Sequence, residues 1–396
     1  MRFTSRSLAA VVAALIPIGA LGAAGAGAAL AAPGGPATAA GQPAFSARTI
    51  LSGTALSHAF AAPGGTHHEH LSSPDDITRF GHELFAAFQN GVGPQGQASP
   101  SGNTDSTVVE FTTGGHVVRQ WDLHGKCDGL TADPQAGVVI ATVNEDLHSS
   151  LYTIAPGARP ARQVQHYTYR EALPHHGGTD AISIYHGEIF ISASAPGTTG
   201  PAAPDAAYPA VYRVGLCGCD HVATVHPLFY DEATASVANA GSARGTTTHL
   251  ALTDPDSNEV VPASAARFGG DFMVTSQGDQ QQIFVRGAAG RHPGLSVLNL
   301  SRPVDDTAWP ASRPGAIFAT STATGTVVMV TGPFRPGTEF AAVTPCDASS
   351  APATCPAPPA YPVNYLGTVN PWSGHVSAVT VTGAALQPQG MLFVSW

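Results

Sequence analysis

The sequence predicts an all-β fold of short antiparallel strands, and three observations carry that prediction. First, one pattern recurs six times: a turn bearing Asp or Asn, an apolar strand, a Gly-rich turn and a second apolar strand. Second, the first copies are evenly set, with Asp76, Asp128 and Asp180 standing 52 residues apart. Third, helical periodicity is nearly absent, and only Asp231 to Ala240 has a helical look. A period near fifty residues built from short strands is the mark of a β-propeller with one four-stranded antiparallel blade per repeat. The expected architecture is a six-bladed β-propeller.

The elements follow in order. Residues 1–32 read as a secretory signal peptide: Arg2 and Arg6 precede an apolar stretch from Leu8 to Leu21 and a small-x-small site, Ala29-Leu30-Ala31. Residues 33–46 form an Ala/Gly/Pro-rich leader expected to be disordered. The propeller is expected over 47–396. Its inner strand pairs are read at Asp75-Asp76-Ile77 with Leu84-Phe85, and at Asp128-Gly129-Leu130 with Val138-Val139-Ile140. They continue at Asp180-Ala181-Ile182 with Ile189-Phe190-Ile191, and at Asn258-Glu259-Val260 with Phe272-Met273-Val274. The fifth pair is Asp305-Asp306-Thr307 with Ile317-Phe318, and the degenerate sixth runs from Gln387 to Val394. Outer hairpins are expected at 106–111 with 116–121, and at 149–154 with 164–169. Further outer strands are read at 209–214, 281–285 with 294–298, and 365–369 with 375–381. The sixth pair has no outer strands after it, so the apolar segment Ala47 to Phe60 is expected to join it. N- and C-terminal strands would then share one blade and close the ring, leaving no open edge.

Composition narrows the function classes. Charged residues make up 11% of the chain, the formal net charge is −10, and Lys126 is the only lysine. Without a basic stripe, a nucleic-acid partner is not expected. No segment after the signal peptide is long and apolar enough to span a membrane, so the mature protein is expected to be extracellular and a monomer. Five cysteines in an exported chain imply disulfides and an odd thiol. Cys346 and Cys355 are the expected pair, and one of Cys217 and Cys219 either pairs with Cys127 or stays free.

In a propeller, the start of each inner strand and the loop after the second strand meet at one channel mouth. Asp76, Asp128, Asp180, Asn258 and Asp306 should therefore ring it, beside the Asn144-Glu145-Asp146 loop. Such oxygens suit a divalent cation, Ca²⁺ first, with Asp128, Asn144, Glu145, Asp180 and Asp306 as candidate ligands. An aspartate opening a strand also satisfies turn N–H groups, and the two roles coexist on one carboxylate. His176, before Gly177-Gly178, and His148, after the Asn-Glu-Asp loop, are the candidate proton carriers. His67-His68-Glu69-His70 is a further histidine cluster, in an irregular segment ahead of the first blade. No Gly-x-Ser-x-Gly nucleophile elbow is present.

From Asp75 to Trp396 the repeats resemble those of six-bladed propellers that include NHL-repeat proteins, gluconolactonase/regucalcin-like lactonases and streptogramin-lyase-like proteins. The resemblance to the lactonases implies a divalent cation held in the channel by Glu, Asn and Asp, and Asn144, Glu145 and Asp180 are similar in residue type. Two expectations follow. The first is a binding or scaffold protein whose acidic channel mouth takes a small molecule, glycan or protein. The second is a metal-dependent lactonase-, hydrolase- or lyase-like enzyme.

Overall fold

A computed structural model describes residues 44–174, 177–194, 207–218, 220–345 and 363–396. The expected signal peptide, His176, Cys219, Cys346 and Cys355 lie outside these residues. The described chain is all-β, with helix reduced to short 3-10 turns such as Gly53–Ala55 and Pro160–Arg162. No described helix is long and apolar enough to cross a membrane.

The strands assemble into four-stranded antiparallel arrays, each named here by the first residue of its innermost strand; a short parallel pairing of Thr168 and Tyr169 with Val222 and Ala223 joins the second and third into one eight-stranded sheet. The Pro74 array runs Pro74–Phe80, Glu83–Phe88, Asp105–Phe111, Val117–His124. The Cys127 array runs Cys127–Asp133, Val138–Val143, Ser150–Ile154, Val164–Tyr169. The Ile182 array follows with Ile182–Tyr185, Glu188–Ser192, Pro209–Cys217, Val222–Tyr230. The Pro255 array runs Pro255–Val260, Phe272–Ser276, Gln281–Arg286, Gly294–Asn299.

Second strands such as Glu83–Phe88 and Val138–Val143 are apolar and buried along nearly their whole length. They pack against neighbours on both faces, so they carry continuous apolar runs instead of alternation. The outer strand Val117–His124 alternates with solvent, as a sheet edge with one wet face requires. Tight turns between strands use left-handed backbone, for example at Gly81 (φ 65°) and Gly137 (φ 74°), where glycine carries no steric cost.

Two arrays depart from the simple repeat. Val304–Ala308 pairs with Glu339–Val343, not with Gly315–Ser321 as the repeat predicts. Tyr365–Val369 and Val376–Ala378 complete that Val304 array. Gly315–Ser321 instead pairs with the C-terminal strand Met391–Ser395, with Ile317 opposite Phe393. Pro310 and Pro314 stand between the two segments. Each proline lacks an N–H and restricts the residue before it, which disfavours a tight hairpin there. Gly315 is also fitted to its actual partner, since a Cβ would meet the Phe393 ring at 2.3 Å.

The Met391 array is completed by Thr326–Thr331 and then by the N-terminal strand Phe45–Ser52, with Ala47 opposite Val330. The strand thus begins at Phe45, two residues earlier than the expected domain start. Val381–Gly383 adds a short parallel pairing outside it. The expected helix near 231–240 is absent; Thr234–Val237 is a strand paired with Thr247–His249.

Apolar layers separate consecutive arrays. Phe85, Trp121, Leu130 and Val139 lie between the Pro74 and Cys127 arrays. Ile140, Leu151, Ile182 and Ile189 fill the next space, followed by Phe190, Phe229, Phe272 and Val274. Met273, Phe284, Val304 and Val343 join the Pro255 and Val304 arrays, and Ile317, Phe340 and Met391 join Val304 to Met391. Ile77, Phe88, Phe318 and Val394 form a layer between the Met391 and Pro74 arrays.

Candidate functional site

The site is built from a defect repeated in the inner strands. The pairing register slips between Pro74 and Ile77, Cys127 and Leu130, Pro255 and Asn258, and Val304 and Thr307. Each slip is a bulge that re-aims side chains. The first bulge residue is Asp75, Asp128, Asp256 or Asp305; Asp180 and Gln389 hold the matching positions in the other two inner segments. All six line one cavity of about 220 Å³, together with Lys126 and Glu145.

The second bulge residue has a different task. Asp76 Oδ1 accepts from the Ile77 N–H at 2.6 Å, and its Oδ2 accepts from the Leu130 N–H of the next array at 2.5 Å. Asp306 Oδ2 likewise accepts from the Met391 N–H at 2.5 Å. Gly129 and Gly390 occupy the same position where space forbids a side chain: a Cβ on Gly390 would meet the Asp75 carbonyl oxygen at 2.3 Å. Hydroxyls on the second strands add a further clip. Thr142 Oγ1 donates to the Asp180 carbonyl and Ser192 Oγ to the Asp256 carbonyl, both at 2.6 Å. Thr320 Oγ1 donates to the Asp75 carbonyl in the same way.

The ring expected from the sequence therefore divides. Asp128 and Asp180 are first-position residues that face the cavity, whereas Asp76 and Asp306 also tie one array to the next. Asn258 stands one residue beyond the bulge, where its Nδ2 donates to the Ala181 carbonyl at 2.6 Å. An even 52-residue spacing selected Asp76, but the residue equivalent to Asp128 is Asp75. Sequence reasoning reads Asp254 to Asn258 as an acidic turn at the channel mouth, which includes Asp256, but it missed Asp75, Asp305 and Gln389, because an Asp-Asp pair does not reveal which carboxylate a bulge points inward. It noted Lys126 only as a composition fact.

Lys126 is the cation inside this acidic wall. Its Nζ lies 2.7 Å from Asp128 Oδ1 and also contacts Glu145 Oε1. Asp128 Oδ1 accepts a second bond from Gln89 Nε2 at 2.9 Å. The charge of Asp305 adds to burial in raising the Asp256 carboxyl. Asp128 Oδ2, Asp305 Oδ2 and Asn258 Oδ1 are buried without a hydrogen-bond partner. Their residues are only 4%, 6% and 7% exposed.

Burial, followed by repulsion from Glu145, pushes Asp128 up to about 8, against the pull of Lys126. Burial also raises Asp76 and Asp305 to about 7. Asp75, Asp180 and Asp256 are held well above the usual carboxylate range by burial and then by neighbouring carboxylates.

Of the residues expected as metal ligands, Asp128, Glu145, Asp180 and Asp306 line the cavity, and Asn144 does not. Asn144 Oδ1 accepts from the Lys126 N–H at 3.0 Å, and Asn144 N–H donates to the Lys126 carbonyl at 2.7 Å. It positions the lysine. Among the described residues, no group of three or more His, Cys, Asp or Glu side chains is arranged to hold a metal ion. The donor atoms explain this: Asp128 and Glu145 hold an ammonium, and Asp306 holds a backbone N–H. The five expected ligands do not fit a shared divalent cation.

His148 lies apart from the acidic cavity, in a groove with His124, His166 and Tyr152. The His67–His70 run lies on a regular strand, Gly65–His70, not in an irregular segment. Its Glu69 Oε1 contacts His58 Nε2 at 3.1 Å. Cys127 is a buried free thiol, an odd thiol of the kind expected, so of the alternatives for Cys217 and Cys219 the pairing with Cys127 is not formed, and Cys217 is disulfide-bonded elsewhere.

No family model matches the sequence, and no curated protein matches it. Among solved structures, the chain is similar to the periplasmic gluconolactonase PpgL of Pseudomonas aeruginosa. Identity there is 12%, over 85% of this chain and 93% of that one, with a TM-score of 0.43. A putative 6-phosphogluconolactonase of Bacteroides fragilis is 10% identical over 91% of this chain and all of that one, with a TM-score of 0.42. The β-propeller domain of Cps50 (Swd1) from Myceliophteria thermophila is 11% identical over 90% and 91%, with a TM-score of 0.40. At these identities their activities remain statements about those proteins.

Proposed function

We propose that the chain is an exported six-bladed β-propeller that binds a small cationic ligand in its acidic axial cavity. Support for the ring comes from the apolar layer and the Thr320 clip between the Met391 and Pro74 arrays, which repeat the contacts made between the other neighbours. Closure by N- and C-terminal strands in one array leaves the cavity on the axis, where every inner strand contributes to it.

One observation carries the ligand class. Three buried oxygens, on Asp128, Asp305 and Asn258, lack a partner in a cavity whose wall has nine carboxyl groups, among them Asp75, Asp128, Glu145, Asp180, Asp256 and Asp305, and one ammonium. Unpaired buried acceptors favour a donor-rich cation. The volume is below that of drug-sized pockets, so the group that enters is small: a primary ammonium or guanidinium on a small molecule, an amino sugar or a protein side chain. Calorimetric titration with putrescine, agmatine, glucosamine and the neutral sugars glucose and gluconolactone tests this. The amines are expected to bind, and Asp305→Asn to weaken them at least tenfold. Binding of neutral sugars with indifference to the amines would reject the reading.

A catalytic reading is favoured by the Asp256–Asp305 pair alone. Two interacting buried carboxyls, both raised above the usual carboxylate range, can give and take a proton at a bound ligand without a metal. Turnover of a lactone and ester panel that survives chelation and is lost in Asp256→Asn would support it.

A further inference from the structure

Lys126 is the cation on the wall of the acidic cavity. It is the only lysine of the sequence, and its ammonium reaches both Asp128 and Glu145. Its backbone is clamped at both ends by Asn144, through the side chain and the main chain. The clamp is fitted to its neighbours. A Cβ on Gly125, which has φ 114°, would meet Asn144 Oδ1 at 2.7 Å, so only glycine admits this approach. Asp128 keeps one buried oxygen with no partner beside the ammonium.

We infer that Lys126 is a built-in counter-ion that fills the cation seat of the acidic cavity, making the protein independent of divalent metal. Removing the ammonium converts that seat into a divalent-cation site. An ammonium offers three donors and one charge, and it is tethered, so its local concentration does not depend on the medium. A divalent ion must instead collect six or more oxygens. With the ammonium gone, Asp128 Oδ2, the Glu145 carboxylate and the nearby Asp75 are hard donors around one space, and Asp128 Oδ1 keeps only its bond from Gln89. The inference goes beyond the ligand proposal and holds whether or not the cavity binds an amine.

Two arms test it. In chelator-treated wild type, the melting temperature is expected to stay flat with Ca²⁺ or Mn²⁺ up to millimolar levels. In the same protein, Lys126 is expected to resist amine-reactive labelling, read by peptide mapping, with or without the ions. A single lysine makes that readout unambiguous. Lys126→Met, which keeps the aliphatic stem, is expected to melt below wild type in chelator and to rise by roughly 5 °C at hundredfold saturation with Ca²⁺ or Mn²⁺. Asp128→Asn added to it is expected to abolish the rise. A metal-dependent shift in wild type, faster Lys126 labelling with metal, or a folded Lys126→Met variant indifferent to metal would each overturn the inference. If Lys126→Met folds only when refolded with Ca²⁺ or Mn²⁺, the inference is supported. If it folds in neither condition, the wild-type arm decides, free labelling of Lys126 counting against it. Amine titration reads a separate outcome, so failure of one proposal leaves the other standing.

Discussion

At the scale of single residues, the acidic wall makes stability depend on pH in a direction opposite to ordinary acid denaturation. Asp128 titrates at about 8 in the folded state and Asp305 and Asp76 at about 7, against about 4 when unfolded. Glu339, 2% exposed and bonded only by Gln282, is raised to about 8 by burial. Between the unfolded and folded values the native state holds more protons than the unfolded one. The contribution of these groups is therefore fully present near pH 4 and is lost as pH rises towards 8. The melting temperature is expected to be higher at pH 5.5 than at pH 8.5; a flat or rising profile would contradict the burial of neutral acids. Glu339→Gln supplies a neutral amide of the same size, so it is expected to melt above wild type at pH 8.5 and to flatten the profile. Asp76→Ala strips the acceptor from the Ile77 and Leu130 N–H groups. Its expected cost is about 1–3 kcal/mol in a urea titration, from leaving those groups unpaired.

At the scale of elements, the bulge explains which parts of the site were legible. Apolar runs such as Leu84 to Phe88 and Val139 to Val143 declare strands buried on both faces, so the arrays were readable from pattern. Asp128 and Asp180 were readable because neither has a second aspartate beside it. Asp75 and Asp305 were not, since each precedes a second aspartate and only the backbone slip decides which faces inward. Likewise, Ile317-Phe318 has the right spacing and composition to pair with Thr307. Its real partner is chosen by Pro310, Pro314 and the fit of Gly315 against Phe393, terms that a repeat pattern does not contain. Local spacing reports propensity; partner choice is a tertiary decision. The same geometry predicts that Gly390→Ala, whose Cβ would overlap the Asp75 carbonyl, destabilises by about 1–3 kcal/mol. Ala181→Gly at the equivalent position is expected to cost less, as measured by chemical denaturation.

At the scale of the whole molecule, stability is shared through the apolar layers between arrays, and the Met391 array is where two distant parts of the sequence must meet. Deleting residues 44–52 would bare the edge strand Thr326–Thr331 and its unpaired backbone groups. The variant is expected to elute as dimers or larger species in size-exclusion chromatography, whereas removing only residues 1–42 leaves the elution volume at that of the monomer. Ser46 bonds Thr331, 285 positions further along, so the first described strand to leave the ribosome is among the last to find its place. Until residues 315–331 and 391–395 have been made, it has neither a partner strand nor an apolar layer to enter. Folding of this array therefore waits on its most C-terminal strand. Pairings of such long sequence separation are slow to form, so this array is expected to set the pace at which the whole fold closes.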